Sequence, residues 1–398
     1  MPTNWLQLSA RVLGLTMLLQ ACSARASYTL HWQDNDTSGD EVGFSIERSD
    51  AGAAFVQIAT VPPAVTTYQD VGATNAIAYA YRVRSFSANG GYSAYTNTVA
   101  TAPVLSSRLI NLSARVFVGS GSQVPVAGFV VTGASTFQLL LRADGPALAG
   151  FDVTGALPDP SLCLFDSLSS VIAANTGWGN STVAGPSTSG VMAQAATSSI
   201  FDQVYAFPLA AGSLDSALVA NVPSGGAFTV QVSSASGTTG VGMIELYDTS
   251  LGTSGSYLSN ISARAFVGSG SNVAVVGFSV SGTTPETLLL RGIGPALAQE
   301  GISSPLQEPQ LVLYDSQGNV IAINAGWCNP PQAGSSTVSA GIAPATAQLM
   351  GSVYASPLPA NSPDCAMVVT LPPGIYTAQL SGLNGSTGIG LVEAYDVP

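Results

Sequence analysis

The 398-residue chain predicts an all-β protein of three tandem β-sandwiches, and three observations carry that expectation. Short runs alternate apolar with polar residues and are divided by turn-forming clusters, which is the period of half-buried strands. A long internal repeat after residue 108 sets out two copies of one pattern. The composition is 46% apolar and only 8% charged, with 43 glycines and 24 prolines. An ordinary soluble domain carries roughly 25% charged residues, so this surface is covered by hydroxyls, amides and glycine instead. So apolar a chain buries enough surface to offset its ordering entropy, and disorder is excluded.

The charge balance excludes further classes. All ten basic residues are arginine, against 22 acids, for a formal charge of −12. Nucleic acid and anionic membrane both require a positive face, so neither is an expected partner.

At the N-terminus, Arg11 precedes the apolar run Val12 to Leu19 and then small residues, the arrangement of a secretory signal peptide over residues 1–26. The run is too short to span a bilayer. Two processing sites compete. Ala24-Arg25-Ala26 has the small-x-small pattern of ordinary signal peptidase, whereas Leu19-Gln20-Ala21-Cys22 is similar to a bacterial lipobox with Cys22 as the lipidated residue. Either site exports the protein to the extracellular space or the cell surface, and a lipid on Cys22 is the one membrane attachment expected.

Residues 27–103 form the first predicted domain. Tyr28, Leu30 and Trp32 alternate with Thr29, His31 and Gln33, which turns the first set to a core and His31 to solvent. Gly43-Phe44-Ser45-Ile46-Glu47-Arg48-Ser49 and Tyr79-Ala80-Tyr81-Arg82-Val83-Arg84 alternate in the same way. With Trp32, Asp34-Asn35 and Glu41, these strings resemble a bacterial fibronectin type III domain. The resemblance implies that Trp32 fills the core and that Tyr79 is the tyrosine-corner residue. It also places Trp32 on the second strand, although cleavage at Ala26 leaves almost no chain for a first.

Two sandwich repeats follow, at 108–248 and 257–398. Leu112-Ser113-Ala114-Arg115-Val116-Phe117-Val118-Gly119 returns as Ile261-Ser262-Ala263-Arg264-Ala265-Phe266-Val267-Gly268, an offset of 149 positions. The same offset carries Arg142 onto Arg291, Gly145-Pro146-Ala147-Leu148 onto Gly294-Pro295-Ala296-Leu297, and Trp178 onto Trp327. A period this long means tandem globular copies, because solenoid repeats run roughly 20 to 50 residues. Within a copy, Leu311 to Asp315 and Val320 to Ile323 flank Ser316-Gln317-Gly318-Asn319 as a hairpin. Only Met192 to Val204 and its counterpart have the Ala-rich spacing of a short helix. The strand-turn-strand ending is similar to the jelly-roll sandwiches of the pre-peptidase C-terminal type, and the full copy resembles a β-sandwich repeat of bacterial cell-surface proteins.

Cysteine usage fits export. Cys328 and Cys365 occur together in the second copy, where the first has Gly179 and Ser216, and joint presence is what a disulfide predicts. Such a bridge stabilises by about 2 to 4 kcal/mol. Cys163 aligns with Val312 and reads as a small buried apolar residue.

Catalytic chemistry finds few candidates. His31 is the only histidine and faces outward, so no Ser-His-Asp or Cys-His arrangement is expected. One histidine with scattered cysteines supplies no four-ligand zinc site. The Gly-Ser-Gly stretches lack the lysine of a phosphate loop. Acids that recur in both copies are Asp166/Asp315, Asp215/Asp364, Glu245/Glu393 and Asp248/Asp396, and the arginines Arg115/Arg264 and Arg142/Arg291 recur with them. In so uncharged a chain these read most simply as structural pairs or turn caps, against a two-carboxylate hydrolase. Asp34, Asp36 and Asp40 begin a calcium-loop pattern, but position twelve is Ser45 where a bidentate Glu is required. No other cofactor is expected. Trp178 and Trp327 sit in Gly-rich loops, where a tryptophan either stacks on a sugar face or plugs the end of the core.

The sequence therefore supports an exported, non-catalytic spacer, adhesin or matrix protein, with a polysaccharide or a cell-surface protein as partner. The alternatives are a carbohydrate-binding array built on Trp178 and Trp327, and a carboxylate hydrolase.

Overall fold

The computed structural model describes residues 28–34, 40–73, 77–101, 107–187, 189–251, 254–270 and 272–398. The leader, with Cys22 and the Ala24-Arg25-Ala26 site, lies outside them. The described residues are nearly all β, with several sheets and no long helix among them. It divides into two compact units, the described residues through 101 and those from 107 onward.

The first unit holds strands β1 (Tyr28–His31), β2 (Glu41–Asp50), β3 (Val56–Val61), β4 (Thr67–Asp70), β5 (Tyr79–Ser87) and β6 (Val99–Ala100). β1 pairs with β4, and a second sheet runs β3-β2-β5-β6. Alternation on β1 is as expected: Tyr28 and Leu30 are buried, while His31 is exposed. They join Trp32, Phe44, Ile46, Tyr79, Tyr81 and Val83 in one core, with the Trp32 ring edge-on to Phe44 at 5.4 Å. Tyr79 is buried beneath Arg48, whose guanidinium lies 4.6 Å from the ring centre. It is the Tyr81 hydroxyl that donates to the Asp70 carboxylate on β4, at 2.9 Å.

Burial on β2 extends to its outer face, where Ser45, Glu47 and Ser49 also lose contact with solvent. Arginines cover them. Arg82 and Arg84 both reach Glu47, at 2.7 and 3.1 Å, and the Tyr95 hydroxyl donates to it at 2.7 Å. Arg82 lies between the rings of Phe55 and Tyr95, and Arg84 between Tyr95 and Tyr92, so cations and rings alternate across the sheet. Burial alone would raise the Glu47 pKa, but these hydrogen bonds and the two positive charges hold it below the usual carboxylate range.

The second unit contains both repeats. Copy 1 comprises β7 (Arg108–Val118), β8 (Val126–Thr132), β9 (Phe137–Asp144), β10 (Pro160–Phe165), β11 (Val171–Thr176), β12 (Val183–Ala184), β13 (Met192–Ala195), β14 (Ser216–Val222), β15 (Ala227–Ser234) and β16 (Gly240–Asp248). Copy 2 repeats the series as β17 (Tyr257–Val267), β18 (Ala274–Ser281), β19 (Glu286–Ile293), β20 (Pro309–Tyr314), β21 (Val320–Asn324), β22 (Gln332–Ala333), β23 (Gly341–Pro344), β24 (Cys365–Leu371), β25 (Gly374–Gly382) and β26 (Gly388–Asp396). The predicted hairpin is β20–β21, joined by a turn in which Asp315 accepts the backbone N–H groups of Gln317 and Asn319. The predicted helical stretch is in part a strand, β13, followed by a short helix α1 (Ser198–Gln203), with α2 (Ala347–Ser352) as its counterpart.

The pairing joins the copies. In copy 1 the strands run β13-β14-β9-β16-β7, and the next partner of β7 is β18 of copy 2, which leads on through β25, β20 and β21 to β22. The other layer runs β12-β11-β10-β15-β8, then crosses to β17 and on through β26, β19 and β24 to β23. The first sheet of one copy thus continues as the second sheet of the other. Each copy covers the edge strand that its partner would otherwise expose to foreign pairing.

One apolar core serves both copies, from Leu109, Phe129 and Leu141 to Phe278, Leu311 and Val392. Across the seam Phe117 meets Phe266 edge-on at 6.3 Å. The lead-in serine of each copy locks to the other: Ser107 donates to Thr284 O, and Ser256 donates to Ser135 O. The approach is close enough to demand glycine. A Cβ on Gly133 (φ 136°) would lie 2.4 Å from the Cα of Ser256, and one on Gly282 (φ 113°) would lie 2.6 Å from that of Ser107.

Outside the β9–β14 face, the segment with α1 forms a covering layer in which Phe201, Val204, Ala206 and Leu209 pack on Leu140, Ala217 and Val219. The α2 segment does the same in copy 2 through Met350, Ala355 and Leu358.

Candidate functional site

Beneath the α1 layer lies the most charged part of the interior. Arg142 on β9 is fully buried and reaches Asp144 at 3.0 Å, Glu245 at 3.2 Å and the carbonyl of Phe207 at 2.9 Å. Its guanidinium sits 4.1 Å from the Phe207 ring centre, and the Tyr247 hydroxyl donates to Glu245 at 2.7 Å. Burial, then the charge of Glu245, push the Asp144 carboxyl well above its usual pKa, against the opposing charge of Arg142.

Copy 2 has a smaller version of the cluster. Arg291 reaches Glu393 at 3.3 Å, Tyr395 donates to Glu393 at 2.8 Å, and Ile293 stands where Asp144 was. Burial raises the Glu393 pKa, which Arg291 and Tyr395 partly oppose. The arginines of both clusters are buried under the covering layers, which suits anchoring those layers.

Of the other recurring acids, Asp166/Asp315 and Asp215/Asp364 hold loops. Asp166 accepts the N–H groups of Leu168 and Ser170 in the turn that Asp315 closes in copy 2. Hydrogen bonds from Ser187 and Ser336, with those turn N–H groups, hold the Asp166 and Asp315 pKa values low. Asp215 accepts from Gly145 and Ala147, and Asp364 from Gly294 and Ala296, so each fixes the Gly-Pro-Ala-Leu turn. Arg115 is exposed and Arg264 half-buried.

One carboxyl pair lies in an open cleft of about 420 Å³ at the seam, lined by Arg108, Tyr257, Glu286 and Asp396 among others. Burial and a hydrogen bond with Asp396 raise the Glu286 pKa to about 9, against the opposing charge of Arg108. Copy 1 has Phe137 at the position of Glu286, so this pair belongs to copy 2 alone. The two carboxyls share a hydrogen bond, whereas a glycosidase pair stands about 5 to 9.5 Å apart.

The cysteines correct an expectation. Cys328 and Cys365 are not bonded: Cys328 is exposed, and Cys365 is buried as a free thiol. The Cys365 thiol donates to the carbonyls of Pro309 and Asn324, and Ser216 in copy 1 donates to the equivalent carbonyls of Pro160 and Asn175. Cys365 therefore replaces a serine as a strand-bridging donor, and its presence says nothing about Cys328. Burial raises its pKa to about 12. Cys163 is a half-buried strand residue whose thiol burial also shifts upward.

The loop tryptophans are tied to the covering layer. The indole N–H of Trp178 donates to Ala210 O and that of Trp327 to Pro359 O, both at 2.9 Å. The Trp178 ring packs 5.4 Å from Phe201, and Trp327 lies against the Met350 cluster. Two other aromatics stand out instead. Tyr205 and Tyr354, equivalent in the repeat, are 86% and 96% exposed, both with φ of 57°. The sequence reading passed over them, although Val-Tyr-Ala-x-Pro-Leu recurs at 204–209 and 353–358.

Of the calcium candidates, Asp36 lies outside the described residues, and Asp34 and Asp40 flank that stretch. Among the described residues no group of three or more His, Cys, Asp or Glu is placed to hold a metal ion. No helix among them is long and apolar enough to cross a membrane.

Fold and side chains together define the class, an all-β protein of several sandwiches. No protein family and no curated protein matches the chain. Solved structures give faint similarity only. The M60 catalytic domain with the CBM51-1 and CBM51-2 domains from Clostridium perfringens ZmpB is 7% identical at a TM-score of 0.16, covering 98% of this chain and 54% of that one. An α-L-rhamnosidase from Streptomyces avermitilis, complexed with L-rhamnose, is 10% identical at 0.18, covering 97% and 38%. The α-L-rhamnosidase from Dictyoglumus thermophilum is 7% identical at 0.16, covering 92% and 46%. The chain spans about half or less of the length of these proteins, and at such scores no argument about function follows from them.

Proposed function

We propose that the chain is an exported, non-catalytic surface protein in which the fused copies act as a spacer or adhesin body. The observation that carries this reading is the fate of the recurring acids. Asp166 and Asp315 close turns, Asp215 and Asp364 hold the Gly-Pro-Ala-Leu turns, and Glu245 and Glu393 neutralise buried arginines. What the two copies share is therefore the chemistry of staying folded. The uncharged surface and the covered sheet edges suit a body that stands in an extracellular matrix without aggregating.

Two measurements test the reading. Expressed in a secreting bacterial host, the mature protein begins at Ser27 or at a lipidated Cys22 by intact mass; an uncleaved cytoplasmic product contradicts export. Incubated with cellulose, chitin, xylan and soluble β-glucan, it releases no reducing ends. Release that Glu286→Gln abolishes overturns the non-catalytic reading.

A further inference from the structure

We propose that Tyr205 and Tyr354 are paired sugar-stacking platforms that bind a polysaccharide, one platform on each copy. The assignment rests on the reading of the chain as a non-catalytic surface body and names its ligand class.

Both tyrosines follow a six-residue helix in the same backbone motif. Tyr205 N–H bonds to Asp202 O and Ala206 N–H to Phe201 O, and in copy 2 Tyr354 bonds to Gly351 and Ala355 to Met350. This is the Schellman ending, whose left-handed residue is normally glycine, sometimes asparagine. A bulky ring there is disfavoured by the contact of its Cβ with the following carbonyl. It gains nothing in return from burial, since the side chains stand 86% and 96% exposed. The residue is therefore disfavoured locally in two places and unsupported by packing in either.

Drift between the copies sharpens the point. The exposed neighbours Asp202 and Gln203 have become Gly351 and Ser352, and the capping residues Phe201 and Phe207 have become Met350 and Ser356. The exposed tyrosine has not changed. A side chain kept where neither helix ending nor core calls for it is kept for what it meets outside.

The surroundings choose the ligand. Val204 and Ala206 on either side of Tyr205 are buried, and the half-buried Phe207 is turned to the Phe151 ring, 5.0 Å away. The α1 and α2 segments carry exposed hydroxyl and amide groups, Ser198 and Ser199 in copy 1 and Gln348 in copy 2, with the carboxylate of Asp202 in copy 1 and no cation in either. An exposed ring on a segment of hydrogen-bonding groups without a cation matches a pyranose, which offers one small C–H face bordered by hydroxyls. The α1 layer covers one sheet and the α2 layer the other, so the two rings face outward on opposite sides and each meets its own stretch of polymer.

The test uses the full mature chain and its Tyr205→Gly, Tyr354→Gly and doubly substituted variants, with Tyr→Phe controls at both sites. Retention is measured on insoluble cellulose, chitin and xylan, and by mobility in gels containing soluble β-glucan or galactomannan. Glycine is the residue the left-handed position favours, so the variants keep or raise the thermal midpoint. The wild type binds at least one polymer, each single glycine variant keeps one of the two platforms and binds about twofold more weakly, the double variant is not retained, and the phenylalanine controls bind as wild type. Binding to none of the polymers, or binding that the double substitution leaves unchanged, overturns the assignment while leaving the non-catalytic reading intact. A lowered thermal midpoint in the glycine variants also overturns it, by showing that the rings serve the fold.

Discussion

At position 365 a single side chain decides between a covalent and a packing role. Its thiol spans the same two strand carbonyls as the Ser216 hydroxyl, so the expected hierarchy follows from hydrogen bonding. Cys365→Ser leaves stability within about 0.5 kcal/mol, while Cys365→Ala, which orphans both carbonyl contacts, costs about 1 to 2 kcal/mol. Denaturant titration checks this, and a reductant leaves the wild-type midpoint unmoved. Asp144 offers a second residue-scale case. With Ile293 in its place in copy 2, Asp144→Ile is neutral or stabilising by about 1 kcal/mol. Glu245→Ala removes one of the two carboxyl partners of buried Arg142 and costs about 1.5 to 3 kcal/mol. The recurrence of Arg142 and Glu245 was visible in the sequence as a structural pair. Their partnership was not, because it depends on the β9–β16 register. Cys365 misled for a similar reason, since a Ser-to-Cys exchange looks the same whether it gains a bridge or keeps a hydrogen bond.

Among elements, the start of β19 and the end of β26 meet at the seam, where Glu286 and Asp396 share a hydrogen bond near Tyr257 and Arg108. An acid with a folded pKa near 9 takes up a proton on folding once the pH exceeds its ordinary 4.5. The native state then binds more protons than the unfolded state, so the contribution is fully present below about pH 4.5 and is lost as the pH rises toward 9. The thermal midpoint of the wild type accordingly falls between pH 5 and 9, and Glu286→Gln flattens that fall; parallel profiles for the two proteins count against the assignment. Strand positions such as β20–β21 were legible from alternation and a Gly-containing turn. The helices were legible only in part, since six residues give too little period to separate from the β13 strand before them. The exposed tyrosines carried a readable signal, an aromatic inside the recurring Val-Tyr-Ala-x-Pro-Leu string, whose meaning needed the helix ending to become plain.

For the whole molecule, the repeat announced two copies without saying how they meet. Separate tandem sandwiches and a fused pair carry the same alternating pattern, because an edge strand and a seam strand bury the same face. Gly133 and Gly282, matched at positions where a Cβ would strike the other copy, mark the seam in retrospect. The fused pair joins two small sandwiches into one body with Tyr205 and Tyr354 on its two opposite faces. Its cooperativity is the claim on which the functional account depends. Each copy carries its own reporter, Trp178 in the first and Trp327 in the second. Denaturant unfolding is therefore followed at each tryptophan in turn, in variants whose other tryptophans are replaced by phenylalanine, with Gly282→Val added to disturb the seam. The account predicts coincident midpoints and slopes at the two reporters, and a seam substitution that lowers both together. Midpoints that separate, or a Gly282→Val effect confined to one reporter, would contradict it.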